Sequence, residues 1–346
     1  MEKIVKTKIW TVDKHVNNLL DSEAIAEAAR LLQENEVVAF PTETVYGLGG
    51  NAYSDEAIEK IFHAKGRPSD NPLIVHIYSK KQLHDIAQHV PKLAEPLIDS
   101  FWPGPLTIIL PKTEAISEKA TAGLATVAVR MPDHPVALAL LEKANVPIAA
   151  PSANRSGKPS PTTAQHVLED LRDKIAGIVD GGKTDVGVES TVIDVTGSQI
   201  EILRPGGITR EQIEAAAGKE NVKQPSSIIG AVKSPGMKYT HYSPNAPLYL
   251  VLSKERIYEL IAEEKAKGKR VGVLTTEENI DNYEADCVFA CGKRTDLATV
   301  ASQLYESLRQ FDVEEVDVII SEAFPKEGIG AAIMNRLEKA AAKIIQ

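Results

Sequence analysis

Apolar and polar residues alternate in short blocks along residues 1–218, with a spacing that switches between two and about 3.6 residues. Short apolar runs predict strands at residues 36–40, 73–77, 106–110, 126–130, 147–150, 175–179, 190–195 and 199–203. Amphipathic spacing predicts helices at residues 23–34, 54–63, 82–88, 93–101, 135–143, 163–170 and 209–217. This alternation favours an α/β domain built around one large, twisted, mixed sheet.

The pattern changes twice after residue 218. Residues 219–247 show neither period and contain four prolines, so we interpret them as a linker. Alternation resumes at residue 248, with strands predicted at 248–252, 270–274, 287–290 and 316–320 and helices at 254–267, 297–311 and 329–342. The sequence therefore predicts a catalytic domain at 1–218, a linker at 219–247 that folds over the active site, and a smaller, Rossmann-like, three-layer domain at 248–346.

Composition excludes several classes of protein. The 346 residues are 43% hydrophobic and carry a net charge of −9, which argues against a protein that grips nucleic acid over a broad surface. No apolar run reaches membrane-spanning length. The two cysteines, Cys287 and Cys291, are far from any cluster of metal-ligating residues and fit a reducing compartment, so we expect a cytoplasmic protein.

The first candidate for chemistry is a proline-containing stretch that begins at Lys65. We interpret it as a non-helical run in which cations, a hydroxyl and an amide recur at every second position, facing the same way in extended backbone. Such a row suits a polyphosphate, although a solvated loop would have the same composition. We call these four residues the phosphate segment: Lys65, Arg67, Ser69 and Asn71. The preceding stretch, PTETVYGLGG at 41–50, is interpreted as a turn rich in small and hydroxyl residues.

A second candidate for phosphate binding resembles a P-loop only in its spelling. Residues 177–184 satisfy the spelling G-x4-G-K-T of a P-loop. A true P-loop opens a helix, whereas the residues that follow here predict another strand. We therefore expect a loop between two strands.

Four strand ends in the first domain carry hydroxyl groups or arginine. They are Arg130, the turn 150–154, Ser190 with Thr191, and Arg204. Ligands bind at strand ends in open α/β sheets, so together these residues indicate one lined cleft. Arg130 ends a buried strand and needs a partner, which could be a ligand carboxylate or an Asp from a neighbouring loop. His76, in another apolar strand, could be a core histidine or face a ligand.

Several motifs are missing from the sequence. It contains no nucleophile elbow, no paired zinc-ligand spacing and no Gly-x-Gly-x-x-Gly. We therefore expect no metal bound by the protein itself, no covalent enzyme intermediate and no tightly held cofactor.

The motifs taken together resemble the YrdC family of threonylcarbamoyl-AMP synthases. The segments that carry the resemblance are PTETVYGLG at 41–49, KGR at 65–67, NPL at 71–73, WPGPLT at 102–107, VAVRMP at 127–132, APSAN at 150–154 and ESTVID at 189–194. SPGMKYTHYSP at 234–244 and the C-terminal domain are similar to the long, two-domain version of the family. The resemblance implies a YrdC-like fold for residues 1–218.

The resemblance also implies a reaction. Members condense L-threonine, bicarbonate and ATP to L-threonylcarbamoyl-AMP and pyrophosphate, and the product serves N6-threonylcarbamoyladenosine modification of tRNA next to the anticodon. It implies Mg²⁺ accompanying ATP, no membrane, and only indirect contact with tRNA through downstream threonylcarbamoyl transferase proteins. Two alternatives remain at this point: a YrdC-type RNA-binding module without ATP chemistry, and carbamoyl-AMP chemistry as in larger maturation enzymes, which the missing acylphosphatase and zinc-finger segments disfavour.

The family's site residues carry over by motif position. The resemblance places Lys65 between the two substrates as the catalytic residue, in contact with phosphate and the carboxylated amine. It implies that L-threonine lies against Thr44, His76, Arg130, the backbone of Ala150, and Ser190. It implies that ATP lies against Arg67, Asn71, Thr126, Ser152, Ser160 and Arg204, with Tyr242 of the linker closing over it.

Overall fold

The computed structural model describes residues 6–224 and 241–346, which form two compact units. The first unit comprises residues 6–156, 161–185 and 189–224, and the second comprises residues 157–160, 186–188 and 241–346. Most of the predicted linker, residues 225–240, lies outside the described residues, so its placement over the active site stays a prediction.

The first unit has the mixed sheet that the alternation predicts. Its elements in chain order are β1 (Lys8–Thr11), α1 (Glu23–Gln33), β2 (Val38–Phe40), β3 (Gly47–Asn51), α2 (Asp55–Lys65), β4 (Ile74–His76), α3 (Leu83–Ile86), α4 (Glu95–Phe101), β5 (Leu106–Pro111), β6 (Thr126–Arg130), α5 (Pro135–Ala144), β7 (Ile148–Ala149), α6 (Ala164–Leu171), β8 (Gly177–Asp180), β9 (Thr191–Asp194), β10 (Glu201–Arg204) and α7 (Arg210–Ala217). Within residues 6–224 the ten strands are ordered β1-β8-β2-β3-β7-β4-β6-β5-β9-β10. The loop after β8 leads to strand β9 and not to a helix, as expected for a false P-loop spelling.

Alternate residues of the central strands pack on opposite faces of this sheet. One face belongs to the large core, to which Val75, Val127 and Ile108 contribute. The opposite face carries a much smaller apolar cluster, formed by residues of β4, β5, β6 and β9: Ile74, Ile109, Ala128 and Val192. Because side chains alternate along a strand, the polar residues two positions away from this cluster continue the same face.

Helix α2 delivers Lys65 to the site, which corrects one sequence-based prediction. The Ser54 side chain accepts a hydrogen bond from the Ala57 amide and caps the helix, as expected. The helix continues to Lys65, and Gly66 ends it in the left-handed conformation at φ 60°. The helix extends two residues beyond the predicted end at residue 63, because Gly66 supplies the helix stop. Lys65 is therefore helical, and the phosphate segment is not one extended row.

Two further strands, β3 and β1, were not predicted from the sequence, and the reason is the same for both. Residues 41–50 were expected to be a turn, but β3 begins at Gly47 and lies antiparallel to β2, because small residues there allow close packing against Phe40 and Ile148. Strand β1, at Lys8–Thr11, went unrecognised, since three of its four residues are exposed. Short, glycine-rich or edge strands have a weak apolar pattern and depend on their neighbours in the sheet.

The second unit contains a parallel sheet. Its elements are β11 (Leu248–Val251), α8 (Lys254–Ala266), β12 (Val271–Thr275), β13 (Cys287–Ala290), α9 (Leu297–Glu314), β14 (Val318–Glu322), α10 (Gly330–Ala340) and β15 (Ala341–Ile345). The five strands within residues 241–346 are ordered β13-β12-β14-β11-β15. The smaller Rossmann-like architecture is confirmed, with one correction: the last predicted helix ends at Ala340, and the chain continues as β15 beside β11.

Across residues 6–224 and 241–346, no helix combines the length and the apolar character needed to span a membrane.

Replacing Gly66 by Ala tests the stop signal that separates Lys65 from Arg67. A Cβ at Gly66 would meet no atom within 4 Å, so its cost is conformational and not steric. We expect Gly66→Ala to lower the free energy of unfolding by about 1–2 kcal/mol, the cost of a left-handed L-residue. Urea denaturation measures this loss. Gly66→Asn is the matched control and should be less destabilising, because Asn tolerates this conformation; equal stability of Gly66→Ala and the wild type would contradict the assignment.

Candidate active site

Arg130 lies at the end of β6, on the sheet face that carries the small apolar cluster. Its guanidinium Nη1 donates to Thr44 Oγ1 over 2.9 Å, and its Nε donates to the Gly104 carbonyl over 3.3 Å. Nη2 forms an ion pair with Glu43 Oε2 at 2.6 Å, and both charged side chains are buried. The predicted need for a partner is therefore correct, but the acidic partner is Glu43 and not an Asp, because the loop after β2 brings Glu43 and Thr44 to the guanidinium together.

His76 faces Arg130 across the pairing of β4 with β6. The ring is buried, and Nδ1 lies 3.2 Å from the Ile74 carbonyl oxygen. Burial and the positive charge of Arg130 lower the pKa of His76 to about 3. The imidazole is therefore neutral at physiological pH and adds no second charge beside the guanidinium.

A second buried guanidinium, that of Arg204, is bound to Ser190. Arg204 Nε and Nη2 donate to the Ser190 carbonyl at 3.1 and 3.0 Å, and Nη2 also lies 3.2 Å from Ser190 Oγ. The Ser190 hydroxyl is 2.7 Å from Thr107 Oγ1, and Thr107 is paired with Arg130 in the sheet. Hydroxyl groups thus connect Arg204 to Thr107, the residue that is paired with Arg130 in the sheet. Gly206 permits this packing, because a Cβ there would lie 2.3 Å from the Thr191 nitrogen.

Lys65 forms the third cationic position of the site. Its buried ammonium donates to the main-chain oxygens of Ser152 and Asn154, each at 2.5 Å, and lies 3.4 Å from Asn154 Oδ1. These acceptors are uncharged. Burial, and then the neighbouring charge of Arg67, hold the pKa of Lys65 well below its usual value. Ser152 Oγ donates to Asn154 Oδ1 over 2.6 Å and so orders the same turn.

Arg67 and Asn71 lie close to each other after Lys65. Arg67 Nη2 is 3.4 Å from the Asn71 carbonyl oxygen and 3.5 Å from that of Pro72. The Asn71 side chain is buried, and its Oδ1 accepts no hydrogen bond from the described residues. A buried acceptor without a donor is costly, so this atom indicates a place for a ligand or an ordered water. Ser69, the remaining member of the phosphate segment, is exposed in the turn.

Thr126, which is predicted to contact ATP, and Arg130, which is predicted to contact L-threonine, belong to the same strand. They lie four residues apart on β6, on the same face and about 13 Å apart along the strand. Ala128 lies between them, within the apolar cluster. Ala150 follows β7, and its amide donates to the Ile74 carbonyl over 2.8 Å, at the same apolar cluster. The apolar cluster therefore forms a floor on this face of the sheet, with Thr126 at one end of β6 and Arg130 at the other.

Eleven of the thirteen predicted site residues belong to the first unit. They are Thr44, Lys65, Arg67, Asn71, His76, Thr126, Arg130, Ala150, Ser152, Ser190 and Arg204. Ser160 and Tyr242 belong to the second unit. Glu43, Thr107 and Asn154 were not predicted. Each lies within a motif quoted above, but only their contacts with Arg130, Ser190 and Lys65 reveal a role.

Among residues 6–224 and 241–346, no three His, Cys, Asp or Glu side chains are grouped so that they could hold a metal ion.

Family comparisons cover both units. The family described as "Telomere recombination" matches residues 30–206, and the family "Threonylcarbamoyl-AMP synthase, C-terminal domain" matches residues 208–342. The chain is 58% identical to the threonylcarbamoyl-AMP synthase of Bacillus subtilis, over 97% of this chain and 98% of that protein. It is 41% identical to the threonylcarbamoyl-AMP synthase of Schizosaccharomyces pombe, over 93% and 89% of the two chains.

A solved structure is similar over almost the whole length. The crystal structure of P. abyssi Sua5 complexed with L-threonine has a TM-score of 0.90 and 48% sequence identity, covering 98% of this chain and 99% of that chain. The crystal structure of E. coli YciO resembles the fold of part of the chain, with a TM-score of 0.53 at 22% identity, covering 58% of this chain.

The buried histidines predict how stability depends on pH. Burial lowers the pKa of His76 to about 3 and that of His134 to about 4, from an ordinary value of 6.5. The unfolded chain therefore takes up protons near pH 6.5, whereas the folded chain does so only at much lower pH. Stability should be fully present above pH 6.5 and should be lost progressively as the pH falls toward 3.

Urea denaturation of His76→Gln checks this dependence. The variant should show a shallower loss of stability between pH 6.5 and 4 than the wild type, with the same substitution at the exposed His15 as the matched control. An identical slope in His76→Gln and the wild type would contradict a depressed pKa at this position.

Proposed function

The chain belongs to the threonylcarbamoyl-AMP synthase family, and we propose that it condenses L-threonine, bicarbonate and ATP to L-threonylcarbamoyl-AMP and pyrophosphate. The observation that carries this proposal is the pair of polar positions on one strand face: Arg130 at one end of β6, and Thr126 at the other, with Ala128 between them. An amino acid at one end and a nucleotide at the other would bring their reacting groups together over the same floor.

The Arg130 position supports a carboxylate subsite. Nε donates to Gly104 and Nη1 donates to Thr44, which holds the guanidinium plane. Nη2 is ion-paired with Glu43 but makes no hydrogen bond with the described residues, so its N–H groups remain for a ligand. A substrate carboxylate fits such a fork in a bidentate manner. Complexation with L-threonine in the P. abyssi relative supports threonine as the occupant. Thr44, His76, Ala150 and Ser190 would surround its remaining groups.

The Lys65 and Arg67 positions support a phosphate subsite. Lys65 is buried among uncharged oxygens, so the ammonium form is disfavoured in the free protein. A polyphosphate beside it would supply the missing opposite charge and raise its pKa again. Arg67 and Arg204 would neutralise further phosphate charge, with Asn71, Ser152, Thr126, Ser160 and Tyr242 as the remaining contacts to ATP.

The reaction then needs positioning and charge neutralisation more than a nucleophile from the protein. The threonine amine attacks the carbon of bicarbonate and water is lost, which forms a carbamate. A carbamate oxygen next attacks the α-phosphorus in line, and pyrophosphate leaves with the negative charge that Lys65 and Arg67 stabilise.

We propose that Mg²⁺ binds together with ATP. Its usual ligands in such sites are one or two carboxylates together with substrate phosphates and water. Asn71 Oδ1 is a buried oxygen that accepts no hydrogen bond from the described residues, so it suits a magnesium-bound water there. When bound, the ion would neutralise charge on the phosphate oxygens.

The biological setting follows from the proposed product. Threonylcarbamoyl-AMP is an activated acyl donor, so we expect a downstream threonylcarbamoyl transferase in the cytoplasm to pass the group to tRNA. The RNA-binding alternative is disfavoured, because relatives more than 40% identical over nearly the full chain are synthases.

A reconstitution assay tests the proposed function. The protein would be mixed with Mg-ATP, ¹³C-bicarbonate and each of the common amino acids in turn, and the products resolved by mass spectrometry. We expect an AMP adduct containing ¹³C, together with pyrophosphate, when threonine is present. Pyrophosphate release without an amino acid, or no labelled adduct with any of them, would contradict the proposal.

Arg67→Ala tests the phosphate subsite. The substitution removes a cation without removing an apolar core residue, so the fold should persist while pyrophosphate release falls by at least about 100-fold, as for lost transition-state charge stabilisation. Arg155→Ala is the matched control, because Arg155 is an exposed arginine of the same unit. Equal loss in the two variants, or unchanged release in Arg67→Ala, would contradict the role of Arg67.

A further inference from the structure

Residues Gly157–Ser160 belong to the second unit, although the residues on both sides of this segment in the chain belong to the first. Ser160 is fully buried, and the proposed function places it against ATP. The proposed function thus gives this segment a contact with ATP, and polar contacts within the second unit hold the segment in place.

Three consecutive residues of the segment are bound by polar groups of the second unit. The Gly157 carbonyl accepts a hydrogen bond from the Ser243 amide at 2.8 Å. Lys158 Nζ lies 2.9 Å from Asp312 Oδ2 and also donates to Asn245 Oδ1. The segment is thus fixed both through its backbone and through a side chain.

Pro159, the third residue of the segment, is bound by a residue on the helix that also carries Asp312. Arg309 Nη2 donates to the Pro159 carbonyl over 2.6 Å, one residue before Ser160. Arg309 and Asp312 are three residues apart on α9 and so lie on one face of that helix. Asp312 Oδ1 in addition accepts the Asn245 amide at 2.5 Å, which braces the carboxylate that holds Lys158.

Burial makes these contacts stronger than ordinary surface pairs. The side chains of Lys158 and Asp312 are only 15% and 21% exposed, so solvent screens their attraction less than it would at a free surface. The Pro159 carbonyl lies in a buried residue, and its hydrogen bond to Arg309 involves a charged donor. Helix α9 spans 18 residues within a packed unit and provides a rigid support.

We propose that Arg309 and Asp312 are positioning residues that hold Gly157–Ser160 and thereby fix the contact of Ser160 with ATP. This inference rests on the proposed function and concerns the affinity for the nucleotide. Neither residue touches a substrate in this account, since both act through the segment.

Calorimetric titration of Mg-ATP, without threonine, tests this inference. Asp312→Asn keeps the shape and the oxygen that accepts the Asn245 amide but removes the charge, and Arg309→Met removes the donor to Pro159. We expect each variant to bind ATP about tenfold more weakly, the scale of a lost hydrogen bond to a charged group. The dissociation constant for threonine should stay unchanged. Glu314→Gln, the same charge change at an exposed residue of α9, is the matched control.

A double-mutant comparison separates positioning from general stability. Ser160→Ala should itself weaken ATP binding, and adding Asp312→Asn to Ser160→Ala should cause no further loss, because the contact being positioned is already gone. An additional loss of the same size in the Ser160→Ala background, or a matching loss of threonine affinity, would overturn the inference.

The outcomes also separate this inference from the proposed function. If the wild-type protein forms no labelled adduct in the reconstitution assay, the proposed function fails. If the wild type forms the adduct and both α9 variants bind ATP with wild-type affinity, only the positioning role is overturned.

Discussion

The buried ammonium of Lys65 is the contact on which the candidate site depends. It joins the end of α2 to the turn after β7 by donating to the main-chain oxygens of Ser152 and Asn154. Those oxygens satisfy its hydrogen bonds but supply no negative charge, so burial keeps its pKa well below the usual value. The fold thus places a group whose charged form is costly where the proposed phosphates would stabilise it.

The two buried arginines, Arg130 and Arg204, differ from Lys65 because protein groups hold their guanidinium groups in place. Arg130 is compensated by Glu43, and Arg204 is bound to the carbonyl and hydroxyl of Ser190. Both guanidinium groups are therefore oriented before any substrate arrives, which lowers the cost of ordering them on binding. Lys65 thus depends on a ligand for an opposite charge, whereas protein groups already orient Arg130 and Arg204.

The sequence predicted the alternating architecture well, because long periodic segments such as those at α1 and α8 carry their own signal. The sequence predicted poorly where a segment depends on its neighbours in the sheet. The glycine-rich β3 forms a strand because it pairs with β2 on one side and β7 on the other. The site residues were recognised from motifs, but Glu43 was not, since its partner Arg130 is 87 positions away in the chain. The grouping of Gly157–Ser160 with the second unit has no local signature at all.

Whether substrate phosphates restore the charge of Lys65 can be measured as proton uptake on ATP binding. Isothermal titration in buffers of different ionisation enthalpy measures the number of protons bound with Mg-ATP across a range of pH values below the ordinary pKa of lysine. We expect net proton uptake by the wild type in the range where free Lys65 is neutral, and loss of that uptake in Lys65→Met. Absence of uptake in the wild type across this range, or equal uptake in Lys65→Met, would contradict the view that substrate phosphates restore the charge of Lys65.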